Sequence, residues 1–508
     1  MKKIILSISL SFLLNEFSLA QITFQRCYGG NGLESAESVQ QTNDGGYIIA
    51  GRTSSFGAGN TDIYLIKTDA GGDTLWTRTY GSTYSEYAYY VQQTSDSGYI
   101  IVGTTEPTSY YSIYLIKTDY NGDTLWTKIH HMPNDTYAFC VQQTSDGGYI
   151  VTGGTVNPSL SPYDHVFMLK TNAMGNLVWI KKYFGAFGES CRSVRQTTDG
   201  GYILAGGTTS FGIGDADIFL IKTDSIGNIA WSKTFGGSQT DNAYTVQQTT
   251  DGGYILGGLI TNDITGISNA CLIKTNGNGD TLWTKTYENQ AALSALQTID
   301  GGYLLFDSNP LLIKTDTIGN ILWSKKYNNG YGIVSSVQQT TDGGYILAGG
   351  IGFFGAGSID VYLIKSDSLG SSGCNEIDTT ITISSTSIQI TNPTPVQSIP
   401  PNSTINISTI IGSGGIVTTL CFSTDINETS GGKDEINVFP NPFTDKLSFT
   451  SDNDFSQLIL YDIFSRKLLQ QTFTNTTTLN TSHLAKGIYI YEVRGKNGVV
   501  KKGKVVKE

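Results

Sequence analysis

Charged side chains are scarce in this chain, making up only 15% of its 508 residues. Surface helices and disordered segments usually need many more, so the composition is typical of neither. The abundant residues are Gly, Tyr, Thr, Ile and Ser, which favours short strands joined by many turns. We therefore predict an all-β protein.

Basic residues are fewer than acidic ones, with 32 Lys and Arg against 43 Asp and Glu and a net charge of −11. Binding of a phosphate backbone needs a basic face. A nucleic-acid partner is therefore not expected.

Long apolar runs are lacking beyond the first residues, so we expect no membrane-spanning helix. The run that does occur, Ile4 to Leu14, follows Lys2 and Lys3 and precedes the small residues of Ser18–Ala20. This order predicts a Sec signal peptide over residues 1–20, cut before Gln21. A buried N-terminal helix is the alternative.

Cysteine and histidine are also few, with six and four copies. No CxxC or Cys/His spacing indicates a metal site, and no catalytic motif such as Gly-x-Ser-x-Gly, His-Glu-x-x-His or a phosphate loop is present. We therefore assign no catalytic residue, metal ligand or cofactor from motifs. Cys374 and Cys421 bracket a segment outside the repeats and are the predicted disulfide, whereas the other four cysteines are predicted to fill small buried sites.

What the sequence does contain is one unit repeated seven times. A Gly-Tyr marker recurs with its tyrosine at Tyr47, Tyr99, Tyr149, Tyr202, Tyr254, Tyr303 and Tyr345. Each copy carries four short strand patterns and two turns rich in Asp and Gly, in which Gly takes φ > 0. A period of this length is typical of a solenoid, a propeller or an array.

The ends of the repeat region favour a closed ring. The fourth strand of copies one to six carries an aromatic, a base and a second aromatic at alternating positions, and the seventh copy lacks this strand. Phe24, Arg26 and Tyr28 supply the same pattern at the mature N-terminus. We predict a seven-bladed β-propeller over residues 21–373, closed by the N-terminal strand. Small residues recur three positions ahead of the first-strand Val in five copies, and because small side chains suit a crowded centre we expect that strand to lie innermost.

Acidic residues in the loops between blades are the first candidate ligand-binding set: Glu34, Glu86, Glu189 and Asp241, with Asp135 nearby in the third copy. In this blade layout they share one face with the variable loops, where function is usually found. Carboxylates converging near a central channel suit Ca²⁺ or a polyhydroxylated ligand. The alternative is that each carboxylate caps the amides of its own loop.

Aromatic residues in the loops between second and third strands are the second candidate set. They are Phe56, Phe211, Phe354, Tyr110, Tyr111 and Tyr163. Exposed rings beside carboxylates often bind sugars. The alternative is that each ring packs on the blade beneath it.

Beyond Gly373 the repeat pattern ends. Residues 374–424 are rich in Thr, Ser and Ile and alternate in short stretches, which predicts a small β linker module. Residues 425–435 are predicted to be a flexible spacer.

The last segment, residues 436–508, contains three short motifs followed by a basic end. The motifs are Val438–Phe443, which includes Pro440, Asn441 and Pro442; Leu460–Arg466, which includes Tyr461 and Asp462; and Leu484–Tyr489, which includes Gly487. In order and spacing it resembles the type A sorting domain of the type IX secretion system of Bacteroidetes, although Ser465 stands where that family usually has Gly. The resemblance implies a β-sandwich, passage through the periplasm to the outer-membrane surface or the exterior, the secretion machinery and its sortase as partners, and attachment to lipopolysaccharide or release. An ordinary adhesion sandwich is the alternative.

The repeats resemble those of exported bacterial propellers, some of which carry endoglucanase labels. Our leading hypothesis is a secreted or surface propeller that binds a glycan or a protein through its variable face. The rivals are a polysaccharide hydrolase that uses the interblade carboxylates and a structural surface-layer component.

Overall fold

The computed structural model describes residues 21–507 except 108–109, 158–160, 289–291, 328–331, 353, 385–387, 400–402, 406–409, 425–435, 441–442, 452–455, 463–466, 486 and 496–497. The predicted signal peptide and spacer lie outside these residues. The chain divides into one compact unit over Ile22–Ser423 and another that contains Thr424–Glu508. All regular structure in the described residues is β-strand, and none of them form a helix long and apolar enough to cross a membrane.

The repeat region forms strands in the order that the sequence predicts. They are β1 (Ile22–Gly29), β2 (Glu34–Gln41), β3 (Tyr47–Thr53), β4 (Asp62–Thr68), β5 (Thr74–Gly81), β6 (Glu86–Gln93), β7 (Tyr99–Thr105), β8 (Ser112–Thr118), β9 (Thr124–His131), β10 (Asp135–Gln143), β11 (Tyr149–Asn157), β12 (Ser161–Thr171), β13 (Leu177–Phe184), β14 (Glu189–Gln196), β15 (Tyr202–Thr208), β16 (Asp217–Thr223), β17 (Ile229–Gly236), β18 (Asn242–Gln248), β19 (Tyr254–Thr261), β20 (Ser268–Thr275), β21 (Thr281–Tyr287), β22 (Ala292–Gln297), β23 (Tyr303–Asp307), β24 (Leu311–Thr315), β25 (Ile321–Tyr327), β26 (Ile333–Gln339), β27 (Tyr345–Ile351) and β28 (Asp360–Ser366).

These strands form seven antiparallel sheets, which we call blades 1 to 7 in the order of their first strands β2, β6, β10, β14, β18, β22 and β26. The N-terminal strand closes the ring, because β1 pairs with β28 and completes blade 7, with Tyr28 opposite Val361. The predicted propeller and its closure are confirmed.

First strands lie innermost, because those of adjacent blades hydrogen-bond to one another. The N–H of Val39 in blade 1 donates to Ser336 Oγ of blade 7 at 3.1 Å. A second set of bonds runs round the whole ring: the terminal Gln of each first strand accepts a backbone N–H from the preceding blade. The acceptors and donors are Gln41 and Thr341, Gln93 and Asn43, Gln143 and Ser95, Gln196 and Ser145, Gln248 and Thr198, Gln297 and Thr250, and Gln339 and Ile299.

The first hairpin of each blade is fixed by an Asp and by a buried Lys that the sequence analysis did not single out. In blade 3, Asp146 Oδ1 accepts hydrogen bonds from Thr144 and the Gly148 N–H, and Lys170 Nζ lies 2.9 Å from Asp146 Oδ2. The same ion pair occurs in every blade: Lys67–Asp44, Lys117–Asp96, Lys170–Asp146, Lys222–Asp199, Lys274–Asp251, Lys314–Asp300 and Lys365–Asp342.

The segment after the repeats differs from its prediction. Residues 374–424 do not form a separate module but add a fifth strand to the outer edge of each blade. These strands are β29 (Glu376–Asp378), β30 (Ile383–Ser384), β31 (Gln389–Thr391), β32 (Val396–Ser398), β33 (Ser403–Ile405), β34 (Ile410–Gly412) and β35 (Ile416–Thr424). We call this segment the belt. The belt strands pair there because the outer strand of each four-stranded blade would otherwise present an unpaired edge.

The oxidation state is defined for five of the six cysteines. Cys374 is disulfide-bonded. Cys27, Cys140, Cys191 and Cys271 are buried free thiols. The side chain of Cys421 lies outside those described, so its pairing with Cys374 stays a prediction.

The C-terminal unit is a sandwich of two sheets, one of β36, β37 and β40 and the other of β39, β38, β41 and β42. The strands are β36 (Ile436–Phe439), β37 (Lys446–Ser451), β38 (Ser456–Asp462), β39 (Lys467–Phe473), β40 (Thr476–Asn480), β41 (Gly487–Gly495) and β42 (Gly498–Lys507). Its core packs Phe449 edge-on against Tyr491, with 5.1 Å between ring centroids. The predicted β-sandwich is confirmed.

Candidate functional site

The predicted carboxylates of the interblade loops are buried within their own blades. Glu34 is 0% exposed, and its oxygens accept hydrogen bonds from the Gly30 N–H at 2.8 Å, Thr53 Oγ1 at 2.7 Å and the Ser55 N–H at 3.2 Å. Glu86 is held in the same way, by Ser82 and by Thr105 Oγ1 at 2.9 Å.

The remaining members of this set show the same arrangement. Asp241 accepts the Gly237 and Thr261 N–H groups, both at 2.7 Å. Glu189 accepts Thr208 Oγ1, and Asp135 accepts the Tyr111 N–H. Glu34, Glu86, Glu189 and Asp241 are buried, and their contacts match the alternative in which each carboxylate caps its own loop. Asp135 is half-buried and caps a loop of the preceding blade instead.

Each of three such carboxylates also lies beside an aspartate of the preceding blade, across a glycine. At Gly81, an added Cβ would lie 1.8 Å from Asp62 Oδ1 and 2.9 Å from Glu86 Oε2. Gly236 stands in the same way between Asp217 and Asp241, and Gly29 between Asp360 and Glu34. Only glycine fits between two carboxylates this close.

Burial governs the protonation of these groups. It raises the pKa of Asp241 to about 6, against two backbone N–H donors that lower it. Burial likewise raises the pKa of Glu86, with Asp62 contributing in the same direction. No group of three or more His, Cys, Asp or Glu side chains in the described part of the chain is arranged to hold a metal ion. Ca²⁺ binding therefore stays an untested prediction.

Two of the six predicted loop aromatics pack on their own blade. Phe56 lies 6.0 Å from Tyr64, and Phe211 lies 5.8 Å from Phe219, measured between ring centroids. Phe354 and Tyr110 are the exposed members, at 42% and 45%. The side chain of Tyr163 lies outside those described. Tyr111 contacts a different set of residues, at the centre of the ring.

That central set is built on an irregularity shared by all seven first strands. Each carries a β-bulge at the same register, in which one residue stays out of the strand ladder. The bulged residues are Glu37, Tyr89, Phe139, Arg192, Tyr244, Leu293 and Ser335. Because first strands are innermost, the bulge places these residues around the propeller axis.

Bulged residues of different blades contact one another. The guanidinium of Arg192 in blade 4 lies over the Phe139 ring of blade 3, 4.3 Å from its centroid. Tyr89 of blade 2 meets Phe139 edge-on at 5.3 Å. Glu37 of blade 1 hydrogen-bonds Ser335 of blade 7 and is affected by the charge of Arg192.

A second layer of aromatic residues lies two positions before the bulged residue in the first strands of blades 2 and 3. Tyr137 lies 6.4 Å from Phe139 in a stacked arrangement and 5.2 Å from Tyr111. The guanidinium of Arg52, in blade 1, lies 5.8 Å from the Tyr87 ring centroid. We call Glu37, Arg52, Tyr87, Tyr89, Tyr111, Tyr137, Phe139 and Arg192 the axial cluster, and all of these side chains are half-buried.

The electrostatics of the axial cluster are set by two arginines and one glutamate. Burial raises the pKa of Glu37, and Arg52, Ser335 and Arg192 oppose that rise. The Nε atoms of Arg52 and Arg192 are buried and have no hydrogen-bond partner among the described residues. The cluster thus combines rings with guanidinium groups whose hydrogen-bonding capacity is not fully used.

Sequence reasoning missed the axial cluster apart from Tyr111, which belongs to the predicted set of loop aromatics. The one available indication was variation between copies: the neighbouring positions Ala36 and Val39 recur almost unchanged, whereas the bulged position carries six residue types in seven blades.

The predicted sorting residues lie at strand ends of the C-terminal unit. Pro440 follows β36, Gly487 begins β41, and Asp462 and Tyr461 end β38, where Asp462 stands opposite Tyr489. Tyr489 is buried and its hydroxyl donates to the Ala485 carbonyl at 2.6 Å. Asn441, Pro442 and the side chain of Asp462 lie outside those described.

Comparison with known protein families identifies the C-terminal unit. Residues 437–508 match the family described as "Secretion system C-terminal sorting domain". None of the curated proteins matches the chain.

Among solved structures, the WD40 propeller domain of Doa1 shares 13% identity at a TM-score of 0.44, covering 66% of this chain and 96% of that one. BamB from Moraxella catarrhalis shares 13% at 0.37, covering 65% and 85%. The Dos1 propeller shares 11% at 0.43, covering 68% and 95%.

The strand pairing of the chain itself defines the propeller, and the matched tail indicates export to the cell surface or the extracellular space. The chain is a secreted or cell-surface β-propeller protein that carries a type IX secretion system sorting domain.

Proposed function

We propose that this protein binds a saccharide bearing an acidic group, and that the axial cluster is its binding site. The observation that carries the proposal is the placement of five aromatic rings of blades 2 and 3 between the guanidinium groups of Arg52 and Arg192. Aromatic faces bind the apolar faces of sugar rings. Guanidinium groups bind carboxylate or sulfate in a paired geometry.

Comparison between the seven copies supports a binding role over a structural one. The ring is held by features that recur in every blade, such as the Lys–Asp pairs and the terminal Gln bonds. The bulged positions do not share in that repetition. Five aromatic rings of the axial cluster lie in two adjacent blades, and one further bulged aromatic, Tyr244, lies in blade 5. An uneven distribution of aromatic rings among seven otherwise similar blades favours a binding role, because a purely structural role would repeat in every blade.

Glu37 has a positioning role in this proposal. Its hydrogen bond with Ser335 holds the carboxylate on the side of blade 7, where Arg52 and Arg192 both affect it. We expect its charge to attract both guanidinium groups. Two positive charges against one negative charge leave the site attractive to an anion.

An array of oligosaccharides tests the proposal with the full-length secreted protein. The array pairs uronic-acid oligomers with neutral oligomers of the same linkage. We expect binding to acidic members, followed by titration calorimetry. Arg192→Gln and Tyr137→Ala should each weaken binding by about tenfold or more.

Tyr120→Ala is the matched control, because Tyr120 is a 63% exposed tyrosine in a hairpin at the opposite face of the blades. It should leave the affinity unchanged. Phe354→Ala tests the exposed loop aromatics separately. Absence of binding to every saccharide, or equal binding by wild type and Arg192→Gln, would refute the proposal. Capture of a peptide instead would identify a protein ligand.

We further propose that the sorting domain delivers the propeller to the secretion system's sortase, which joins it to surface lipopolysaccharide or releases it. The complete run of matched residues over 437–508 supports this step. Fractionation of the producing cells tests it: attached protein should migrate with lipopolysaccharide on gels, and released protein should appear in the medium at its unmodified mass.

A further inference from the structure

The belt follows a path round the propeller that runs against the chain order of the blades. Its strands β29 to β34 pair in turn with the outer strands of blades 6, 5, 4, 3, 2 and 1. Its last strand, β35, then pairs with β1 of blade 7. The belt therefore passes every blade once and returns to the blade from which it started.

Side chains of the outer strands hold the belt between its short strands. Ser324 Oγ donates to the Thr379 carbonyl at 2.7 Å in blade 6, and Thr286 bonds Ser384 Oγ at 2.6 Å in blade 5. In blade 1, Thr77 Oγ1 donates to the Gly414 carbonyl at 2.9 Å. Side-chain hydrogen bonds thus attach the belt to blades at both ends of its path.

Both ends of the belt meet at one strand. At the start, the carbonyl of Cys374 accepts a hydrogen bond from Gln25 Nε2 of β1 at 2.6 Å. At the end, β35 pairs with the same β1 and contains Cys421. The two cysteines thus lie on segments that both contact β1, although the whole belt separates them in sequence.

Cysteine chemistry indicates how these ends are joined. Cys374 is disulfide-bonded, and the four cysteines of the blades are free. We propose that Cys374 pairs with Cys421 and closes the belt into a covalent hoop that encircles all seven blades. In forming this bond the two thiols give up two protons and two electrons, and the disulfide of an exporting cell's thiol oxidoreductase is reduced to a dithiol.

A closed hoop does more than an ordinary disulfide of the same loop length. An ordinary crosslink restricts the unfolded chain. The hoop also prevents outward movement of any blade while the others stay folded, because its length is fixed and its strands occupy every outer edge. Unfolding then requires several blades to lose their belt strands together.

A cut in the belt tests both the pairing and the encirclement. A specific protease site is inserted after Ile399, which is 79% exposed between β32 and β33. The purified full-length protein is cut, its free thiols are alkylated in denaturant, and it is run on gels with and without reductant. We expect one band without reductant and two with it.

Two variants assign the bond. Cys421→Ser should give two bands without reductant, whereas Cys191→Ser should still give one. Two bands from the cut wild-type protein without reductant, or one band from Cys421→Ser, would overturn the proposed pairing.

Unfolding rates in denaturant then test the hoop. Cutting after Ile399 should speed unfolding by about tenfold or more, to the rate of the reduced protein. The control is the same protease site placed in residues 425–435, outside the hoop, where cutting should leave the rate unchanged. Equal rates before and after the belt cut would show that the closed hoop does not restrain the blades.

Discussion

Trp231 of blade 4 lies edge-on against Tyr254 of blade 5, with 5.9 Å between ring centroids and 62° between ring planes. Equivalent pairs join every blade to the next: Phe24–Tyr47, Trp76–Tyr99, Trp126–Tyr149, Trp179–Tyr202, Trp283–Tyr303 and Trp323–Tyr345. The Gly-Tyr marker of each repeat thus receives the outer-strand aromatic of the preceding repeat, and Phe24 completes the circle.

The first prediction concerns this contact. Trp231→Ala should lower the free energy of unfolding by about 2–4 kcal/mol, because it removes a large aromatic side chain that joins two blades. Leu282→Ala is the control, since Leu282 is an exposed outer-strand residue and its loss should change the value by less than about 0.5 kcal/mol. Urea titration followed by circular dichroism measures both. Similar losses in the two variants would contradict the prediction.

The second prediction uses one exception among the repeats. Ser97 has φ of 66°, whereas the equivalent residue is a glycine in every other blade, such as Gly147 with φ of 80°. A side chain is strained in this region of backbone space. Ser97→Gly should therefore stabilise the protein by about 0.5–1 kcal/mol.

Gly147→Ser is the reciprocal change, and it should destabilise by a similar amount. A Cβ at Gly147 meets no atom within 4 Å, so the expected cost is one of backbone conformation alone. If the two substitutions shifted urea midpoints in the same direction, the backbone argument would be wrong.

Sequence patterns predicted the repeating frame well, because turn chemistry and alternating strands are local. The turn residues Asp146 and Gly175 have equivalents in the other copies, so their role in the two hairpins could be recognised from the sequence. Phe24 could be recognised, by comparison with Trp76, as the outer-strand aromatic that the seventh copy lacks. Burial could not be read from the same patterns. Glu34 and Asp241 were identified correctly as a shared acidic feature, but a capping carboxylate and a ligand-binding one look alike in sequence.

The belt and the axial cluster could not be predicted from the sequence, for different reasons. Belt strands are two or three residues long over most of its path, so alternation is too brief to identify a partner edge. Their starts recur about every seven residues, a spacing that matches blades rather than any local structure. The axial cluster depends on a bulge, which is a property of strand pairing and has no sequence pattern of its own.

The third prediction concerns pH and the interblade carboxylates. Burial raises the pKa of Asp241 from 3.8 to about 6. The folded protein therefore binds the proton more tightly than the unfolded chain, and this stabilisation is complete below about pH 4 and is lost as pH rises through 6. Wild-type melting temperature should fall relative to that of Asp241→Asn between pH 4 and 7. A constant difference over that range would contradict the assignment.

The fourth prediction has the opposite sign and concerns the first hairpins. Burial disfavours the ionised form of Asp146, but hydrogen bonds from Thr144, Lys170 and the Gly148 N–H prevail and lower its pKa to about 2. This stabilisation is present above about pH 4 and is lost as pH falls through 2. Asp146→Asn should be less stable than wild type at pH 5, and the difference should shrink as the pH falls to 2. Calorimetry over that range measures it.

The last prediction tests whether the C-terminal unit is needed for export but not for folding of the propeller. Deleting residues 436–508 should leave the propeller folded, because every blade strand and every belt strand lies within Ile22–Thr424. The protein should then accumulate inside the outer membrane, since the residues that match the sorting domain are gone. Deleting residues 428–432 alone is the control and should not change export. Protease accessibility on whole cells, compared with circular dichroism of the purified protein, separates a sorting defect from misfolding. Normal surface display of the folded, truncated protein would show that export does not depend on this tail.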